Sequence, residues 1–103
     1  MSRQRAIVVS DVAKAQILTA EQWWRLNRPK APDAITEELE RASSLIAAQP
    51  GVGATARDAA LAGVRRLHLA RVRYDLYYRV DEDLDRVEVL AFWHASRGRR
   101  PVL

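Results

Sequence analysis

The sequence predicts an α+β fold in which a helical hairpin packs on one face of a mainly antiparallel sheet, in the order strand, helix, helix, strand, strand, strand. Three observations lead there. The stretch Tyr74 to Arg97, YDLYYRVDEDLDRVEVLAFWHASR, reads as two strands joined by an acidic turn. Upstream, two segments of helical period are separated by Pro29 and Pro32. A short β-branched run, Ala6 to Val9, precedes them.

Each element follows from its residues. Ala6 to Val9 is a strand. Ser10 or Asp11 offers the cap of the first helix, because its side-chain oxygen can accept from the free N–H groups of the first turn. From Val12 to Asn27 the apolar residues Ala13, Ile17, Leu18, Ala20 and Trp24 fall at helical spacings. Trp23 and Trp24 are adjacent, so only one can lie at the centre of the buried face. The prolines end this helix by removing a donor and restricting the preceding residue. Asp33 is expected to cap a second helix, with Ile35, Leu39, Ala42, Leu45 and Ile46 as its buried stripe and Glu37, Glu38, Glu40 and Arg41 in solvent. A short proline-rich link makes the pair an antiparallel hairpin. Gln49 to Thr55, QPGVGAT, is a helix-stop turn.

Val64 to Leu69 is the next strand, with Val64, Arg66 and His68 on one face and Arg65, Leu67 and Leu69 on the other. In Tyr74 to Val80 strict alternation sets Leu76, Tyr78 and Val80 against Asp75, Tyr77 and Arg79, the pattern of a half-buried strand. Asp81 to Asp85 forms the turn, and Val87 to Trp93 is apolar except at Glu88, as in a strand buried on both faces. Past it the chain becomes polar and basic, with His94, Ser96, Arg97, Arg99 and Arg100 at one rim of the sheet.

With 103 residues, the chain is expected to form one domain spanning 1–103. No cysteine is present, which excludes a disulfide framework and a thiolate metal site. No apolar run approaches the roughly 20 residues needed to cross a bilayer, and the apolar run near the N-terminus is too short for a signal peptide. These features point to a cytoplasmic protein. The net charge of +4 is carried almost wholly by arginine, since Lys14 and Lys30 are the only lysines. Guanidinium forks suit carboxylates and phosphates alike, so the basic surface fits an acidic protein or a nucleic acid, or simply faces solvent.

Few motifs carry chemistry. GVG at Gly51 to Gly53 lacks the Lys and Ser/Thr of a phosphate loop. His68 and His94 are the only histidines and share no metal-ligand spacing, so no metal site is expected. No nucleophile–base–orienter set is visible. The main signal is arginine clustering, with Arg65, Arg66, Arg71, Arg73 and Arg79 on neighbouring strands or their connections and Arg97, Arg99 and Arg100 after the last strand, near Tyr74, Tyr77 and Tyr78.

These elements, with W-W-R-L-N-R-P at Trp23–Pro29, A-x-x-P-G-V-G at Ala47–Gly53, G-V-R-R-L at Gly63–Leu67, Y-Y-R-V at Tyr77–Val80 and V-L-A-F-W-H-x-S-R at Val89–Arg97, resemble the RelE/ParE superfamily of bacterial type II toxin–antitoxin toxins. The resemblance covers nearly the whole chain and implies the βααβββ layout. RelE-like members cleave mRNA in the ribosomal A site, whereas ParE-like members poison DNA gyrase. RelE-like toxins usually carry an Arg before the strand pattern L-x-Y-x-V; here Asp75 stands in that place, and a carboxylate would repel a developing phosphorane charge. The Y-Y-R-V segment and the ending at Trp93–Ser96 look more like ParE.

The resemblance therefore implies a gyrase-binding inhibitor, with no cofactor, no metal and no membrane, neutralised by a cognate antitoxin. Arg79, His94, Ser96 and Arg97 are expected to bind the target. Trp23, Trp24, Arg65 and Arg66 are expected to bind the antitoxin, whose acidic segment would cover apolar surface and pair with arginine. The alternatives are a ribosome-dependent mRNA endoribonuclease using His94, Arg66 and His68, and an inactive antitoxin-binding module.

Overall fold

The computed structural model describes residues 4–103. The elements are β1 (Ala6–Val9), α1 (Asp11–Asn27), α2 (Ala34–Ala48), a 3-10 turn (Pro50–Val52), β2 (Ala54–Thr55), β3 (Arg65–Leu69), β4 (Tyr74–Asp81) and β5 (Arg86–His94). They form two helices packed on a five-stranded mixed sheet of order β1-β5-β4-β3-β2. Only the β1–β5 pair is parallel. The edge strand β2 lies inside the stretch expected as a turn and pairs antiparallel with Arg65 and Arg66. Two residues are too few to show a strand period.

Ser10 settles the first cap. Its Oγ accepts the Ala13 N–H at 3.1 Å and donates to the Leu90 carbonyl at 3.3 Å, while its own N–H donates to the Val89 carbonyl. β1 pairs with β5 only as far as Val89, and α1 takes over the edge beyond, with Gln16 Oε1 accepting the Phe92 N–H at 2.8 Å. This is how a buried strand keeps its backbone satisfied where its neighbour stops. Trp24 packs on the core and Trp23 stays 46% exposed. Thr36 Oγ1 donates to Glu21 Oε2 across the hairpin.

Two expectations for α2 are corrected. Asp33 sits at the N-cap position but makes no side-chain capping bond, because its φ/ψ of −101°/15° is not the extended geometry that brings a carboxylate round to the first N–H groups. Glu38 is buried, not solvent-facing. It shares the stripe of Ile35, Ala42 and Ile46, and its carboxylate accepts from Arg41 at 2.7 Å and from Arg71 of the β3–β4 turn at 3.4 Å.

The main core lies between helices and sheet, with Tyr78, Phe92, Ile35, Ile46 and Leu76 as its largest fully buried side chains. Val87, Val89 and Phe92 of β5 all face it, although Phe92 lies at an odd spacing from the other two. A register shift resolves this: Tyr77 pairs with Ala91 but Tyr78 pairs with Val89, leaving Leu90 as the extra residue of a β-bulge. The opposite face, here the outer face, is not open along its length. Val64, Tyr77 and Ala91 form a second buried cluster, covered by Ala56, Ala59 and Leu103. The backbone N–H groups of Ala60 and Leu61 donate to the Leu103 carbonyl and tie the tail down. β4 is therefore buried on both faces through Asp75–Tyr78, a correction to the half-buried reading.

Gly53 is needed for space. Its N–H donates to Tyr78 Oη at 2.8 Å, and that hydroxyl donates in turn to the Pro50 carbonyl at 2.8 Å. A Cβ at Gly53 would fall 2.7 Å from Tyr78 Oη and 3.0 Å from the Arg66 carbonyl. Burial pushes the Tyr78 hydroxyl above the ordinary phenol value, against the opposing pull of the Gly53 N–H and the Arg65 charge.

Candidate binding faces at the sheet rim

Strand registers set the outer face in rows. His68, Asp75 and Trp93 lie opposite one another in one row, and Arg66, Tyr77 and Ala91 in the next. His68 Nδ1 donates to Asp75 Oδ1 at 2.8 Å, so the buried Asp75 carboxylate has a cross-strand partner. That pairing is the signal the sequence offered without being read. The β3–β4 hairpin turns at Ala70–Arg73, with Arg73 in the left-handed region at φ 61°, and a hairpin centred there places 68 opposite 75.

The chain after β5 folds back over these rows. Arg97 lies with its guanidinium 4.0 Å from the Trp93 ring centroid, and Trp93 Nε1 donates to the Arg99 carbonyl at 2.9 Å. Arg100 pairs with Asp58 at 3.1 Å. Between strap and sheet is a cavity of about 260 Å³, lined by Arg66, Asp75, Tyr77, the run Trp93–Ala95 and residues 97–100.

His94 follows Trp93 and therefore turns to the helix side. Its ring meets Tyr74 edge-on at 5.0 Å. His94 Nδ1 lies 3.2 Å from the Ser96 N–H and 2.6 Å from Ser96 Oγ. A backbone N–H can only donate, so Nδ1 is an acceptor and the hydrogen sits on Nε2. Burial raises the Tyr74 hydroxyl above the usual phenol value, opposed by the Arg97 charge.

The expected target-binding set is only partly assembled. His94, Ser96 and Arg97 share the rim, but Arg79 does not. It pairs with Glu88 at 3.4 Å, five residues along β4 from the rim, or about 17 Å at 3.4 Å per strand residue. The expected antitoxin-binding set is also divided. Trp23 and Trp24 meet edge-on near the end of α1, with Arg28 over both rings at 5.3 and 5.9 Å, beside Arg71 and Arg73. Trp24 Nε1 is buried there without a hydrogen-bond partner among the described residues. Arg65 instead donates to the Gly53 and Gly51 carbonyls at 2.8 and 3.4 Å and secures the 3-10 turn, while Arg66 opens on the outer face. Of the nuclease alternative, Arg66 and His68 share the outer face and the His94 ring is turned to the other. Among the described residues no group of three or more His, Asp or Glu is placed to hold a metal ion.

The family model for the ParE toxin of type II toxin–antitoxin systems, parDE, matches residues 7–99. Among solved structures, a chromosomal ParDE toxin–antitoxin system from P. aeruginosa aligns with a TM-score of 0.71 at 19% identity, over 90% of this chain and 98% of that one. The RelBE2 toxin–antitoxin complex from Mycobacterium tuberculosis aligns with a TM-score of 0.64 at 21% identity, over 88% of this chain and 98% of that one. A search of curated proteins gave no match.

Proposed function

Because this chain belongs to the ParE toxin family of type II toxin–antitoxin systems, we propose that it acts as a single domain over 1–103 that binds and inhibits DNA gyrase, and that a cognate antitoxin neutralises it. The proposed action is binding, and it needs neither metal nor cofactor. The observation that carries the choice of a binding inhibitor over a nuclease is Asp75. Cleaving a phosphodiester needs cations on the developing phosphorane and an acid–base pair within reach of the same phosphate. Here a buried carboxylate, held by His68, lies on the outer face one row from the rim, and the ring of the second histidine packs against Tyr74 on the helix side.

The proposed target surface is the rim of His94, Ser96 and Arg97. Backbone bonds brace it, because the Ala95 N–H donates to the Arg73 carbonyl and the Arg97 N–H to the His94 carbonyl. The proposed antitoxin surface is α1, whose Val12, Leu18, Trp23 and Leu26 are exposed in a small domain of +4 charge. An acidic segment folding on that face buries apolar area and places carboxylates by Arg28 and Arg73. Both structural neighbours are described as toxin–antitoxin systems or complexes. No described helix is long and apolar enough to cross a membrane, and the proposed site of action is the cytoplasm, where gyrase works.

Purified protein is expected to inhibit gyrase supercoiling and to leave mRNA on translating ribosomes intact. Ribosome-dependent cleavage that disappears in His94→Ala would replace this reading with the endoribonuclease, which Arg66 and His68 on one face favour. Co-purification with the product of the adjacent gene tests the antitoxin. A chain that stays monomeric and indifferent to that product would sink that part.

A further inference from the structure

The sheet has two edges, and they differ in how they are guarded. At one, β2 is two residues long, and the β3 backbone beside and beyond it carries Arg66 and His68. Short edge strands and charged side chains keep an edge from pairing with another chain. At the other, β1 presents Ala6–Val9 with no charge, no proline and no break in its register against β5. We propose that this edge is a homodimer interface, in which β1 pairs antiparallel with β1 of a second copy about a two-fold axis at Val8. The proposal goes beyond the gyrase reading, since it uses neither the rim nor a partner of another kind.

Three observations carry it. The first is the direction of the backbone groups. The Ser10 N–H donates to the Val89 carbonyl, as the next step of the parallel β1–β5 ladder requires. Alternation then turns Ala6, Val8 and Ser10 toward β5, and Ile7 and Val9 away from it. Arg5 follows the same alternation, because its N–H leaves the sheet to reach the Ala47 carbonyl. The outward N–H and C=O groups of Ile7 and Val9 have no partner among the described residues.

The second is self-complementarity. An axis at Val8 sets Ile7 of each copy opposite Val9 of the other, and each such pair exchanges two bonds. Every outward group of the strand is then satisfied. An axis at Ile7 would need Arg5, which is bonded to Ala47, and an axis at Val9 would need Asp11, which is already helical. Val8 is 39% exposed, on the side of the sheet away from the main core, and packs on its own copy. A two-fold contact of this kind closes on itself.

The third is charge. Arg5 and Asp11 flank the strand, and this register brings Arg5 of one copy to Asp11 of the other at both ends. Asp11 has no cationic partner among the described residues, and Arg5 is paired with Asp85 at 3.2 Å. An acidic peptide on the same edge would meet an unpaired carboxylate at one end, an engaged arginine at the other and no cation between. The edge therefore fits a second copy better than the acidic segment proposed for α1. A strand of four residues does not by itself supply the roughly 1,200–2,000 Å² of a stable complex, so the dimer is expected to form only at high concentration.

The chain has no cysteine, so a single introduced one reports its own position. Val8→Cys places a thiol on the axis. Opposed residues of a pair without hydrogen bonds have Cα atoms about 4.5 Å apart, within the roughly 4.4–6.8 Å that a disulfide spans. Ala6→Cys, on the same face, sits two residues off the axis, so its two copies lie about 14 Å apart. Leu18→Cys is an exposed control on α1. In a glutathione redox buffer, Val8→Cys is expected to give a disulfide dimer on a non-reducing gel, and the two controls to stay monomeric. Sedimentation equilibrium of the parent chain is expected to show a monomer–dimer equilibrium. Val8→Lys should abolish it, because like charges meet on the axis, and should leave the melting temperature of the dilute monomer unchanged. The inference is overturned by a parent that is monomeric up to its solubility limit, by Val8→Lys dimerising like the parent, or by Val8→Cys linking no faster than Ala6→Cys. Faster linkage of Leu18→Cys would place the contact on α1 instead. A monomeric parent whose Val8→Lys variant loses the antitoxin would assign the edge to the antitoxin.

Discussion

Arg97→Ala separates a binding role from a folding role. In the fold, the Arg97 side chain stacks on Trp93 at 4.0 Å, and its backbone N–H donates to His94. Alanine keeps the backbone bond and loses the stacking. A cation–π contact at an exposed site is worth about 0.5–1 kcal/mol, which lowers the melting temperature of a domain of this size by about 2–6 °C. If the guanidinium is instead a desolvated contact with the target, its loss costs roughly 2 kcal/mol or more of binding, about 30-fold in affinity. Gyrase supercoiling inhibition, growth inhibition and thermal melting should be measured on one preparation. The expected result is a loss of inhibition on the order of 30-fold with a melting shift of a few degrees and antitoxin binding unchanged. A fully toxic Arg97→Ala refutes the assignment of the rim, and so does a loss of activity that only tracks a collapse in melting temperature.

The remaining predictions concern the fold around that face. Gly53→Ala forces a Cβ to 2.7 Å from Tyr78 Oη and 3.0 Å from a backbone carbonyl, so denaturant unfolding should show a loss of about 1–3 kcal/mol; an unchanged midpoint would mean the turn yields freely. The raised Tyr74 and Tyr78 hydroxyls favour the neutral phenol in the folded state. Their contribution is therefore intact below the usual value of 10.0 and is lost as pH rises from there through the higher folded values. Tyr78→Phe should flatten the decline in stability above pH 10, and a decline as steep as the parent's would contradict the burial argument. A double-mutant cycle on His68→Ala and Asp75→Ala should give a coupling of about 0.5–3 kcal/mol, and no coupling would show the 2.8 Å bond to be incidental.

Much of the fold was legible because its segments obey one period. The β4–β5 pair, the two helices and a cap at Ser10 or Asp11 could all be read from spacing and side-chain chemistry. What escaped the reading breaks a period or depends on a distant segment. The bulge at Leu90 moves Phe92 to the same face as Val89, against strict alternation. Glu38 was read as solvated for its charge, yet it lies on the buried stripe of its helix and is tolerated there because Arg41 and, from far along the chain, Arg71 pair with its carboxylate. The tail reads as polar and basic, yet Leu103 closes a second core under it. The rim of His94, Ser96 and Arg97 was readable as the end of a buried strand. The separation of Arg79 from it was equally readable, since a hairpin turning at Asp81–Asp85 puts Arg79 at the turn end and His94 at the other, whereas the commitment of Arg65 to the turn at Gly53 was not.

The pairing of β1 with β5 has a consequence for timing during synthesis. Ser10, at the end of β1, is joined to Leu90 of β5 across 80 residues of chain. At a translation rate of about 5–20 residues per second, β1 and α1 wait about 4–16 s before the strand that completes their sheet has even been made. Through that interval β5 is missing, α1 has no Phe92 N–H for Gln16 to accept, and the rim beyond Trp93 does not exist. The nascent chain thus carries the helical hairpin before it carries the rim. An antitoxin already present in the cell, if it docks on α1, meets its surface while the rim proposed to bind the target is still unmade.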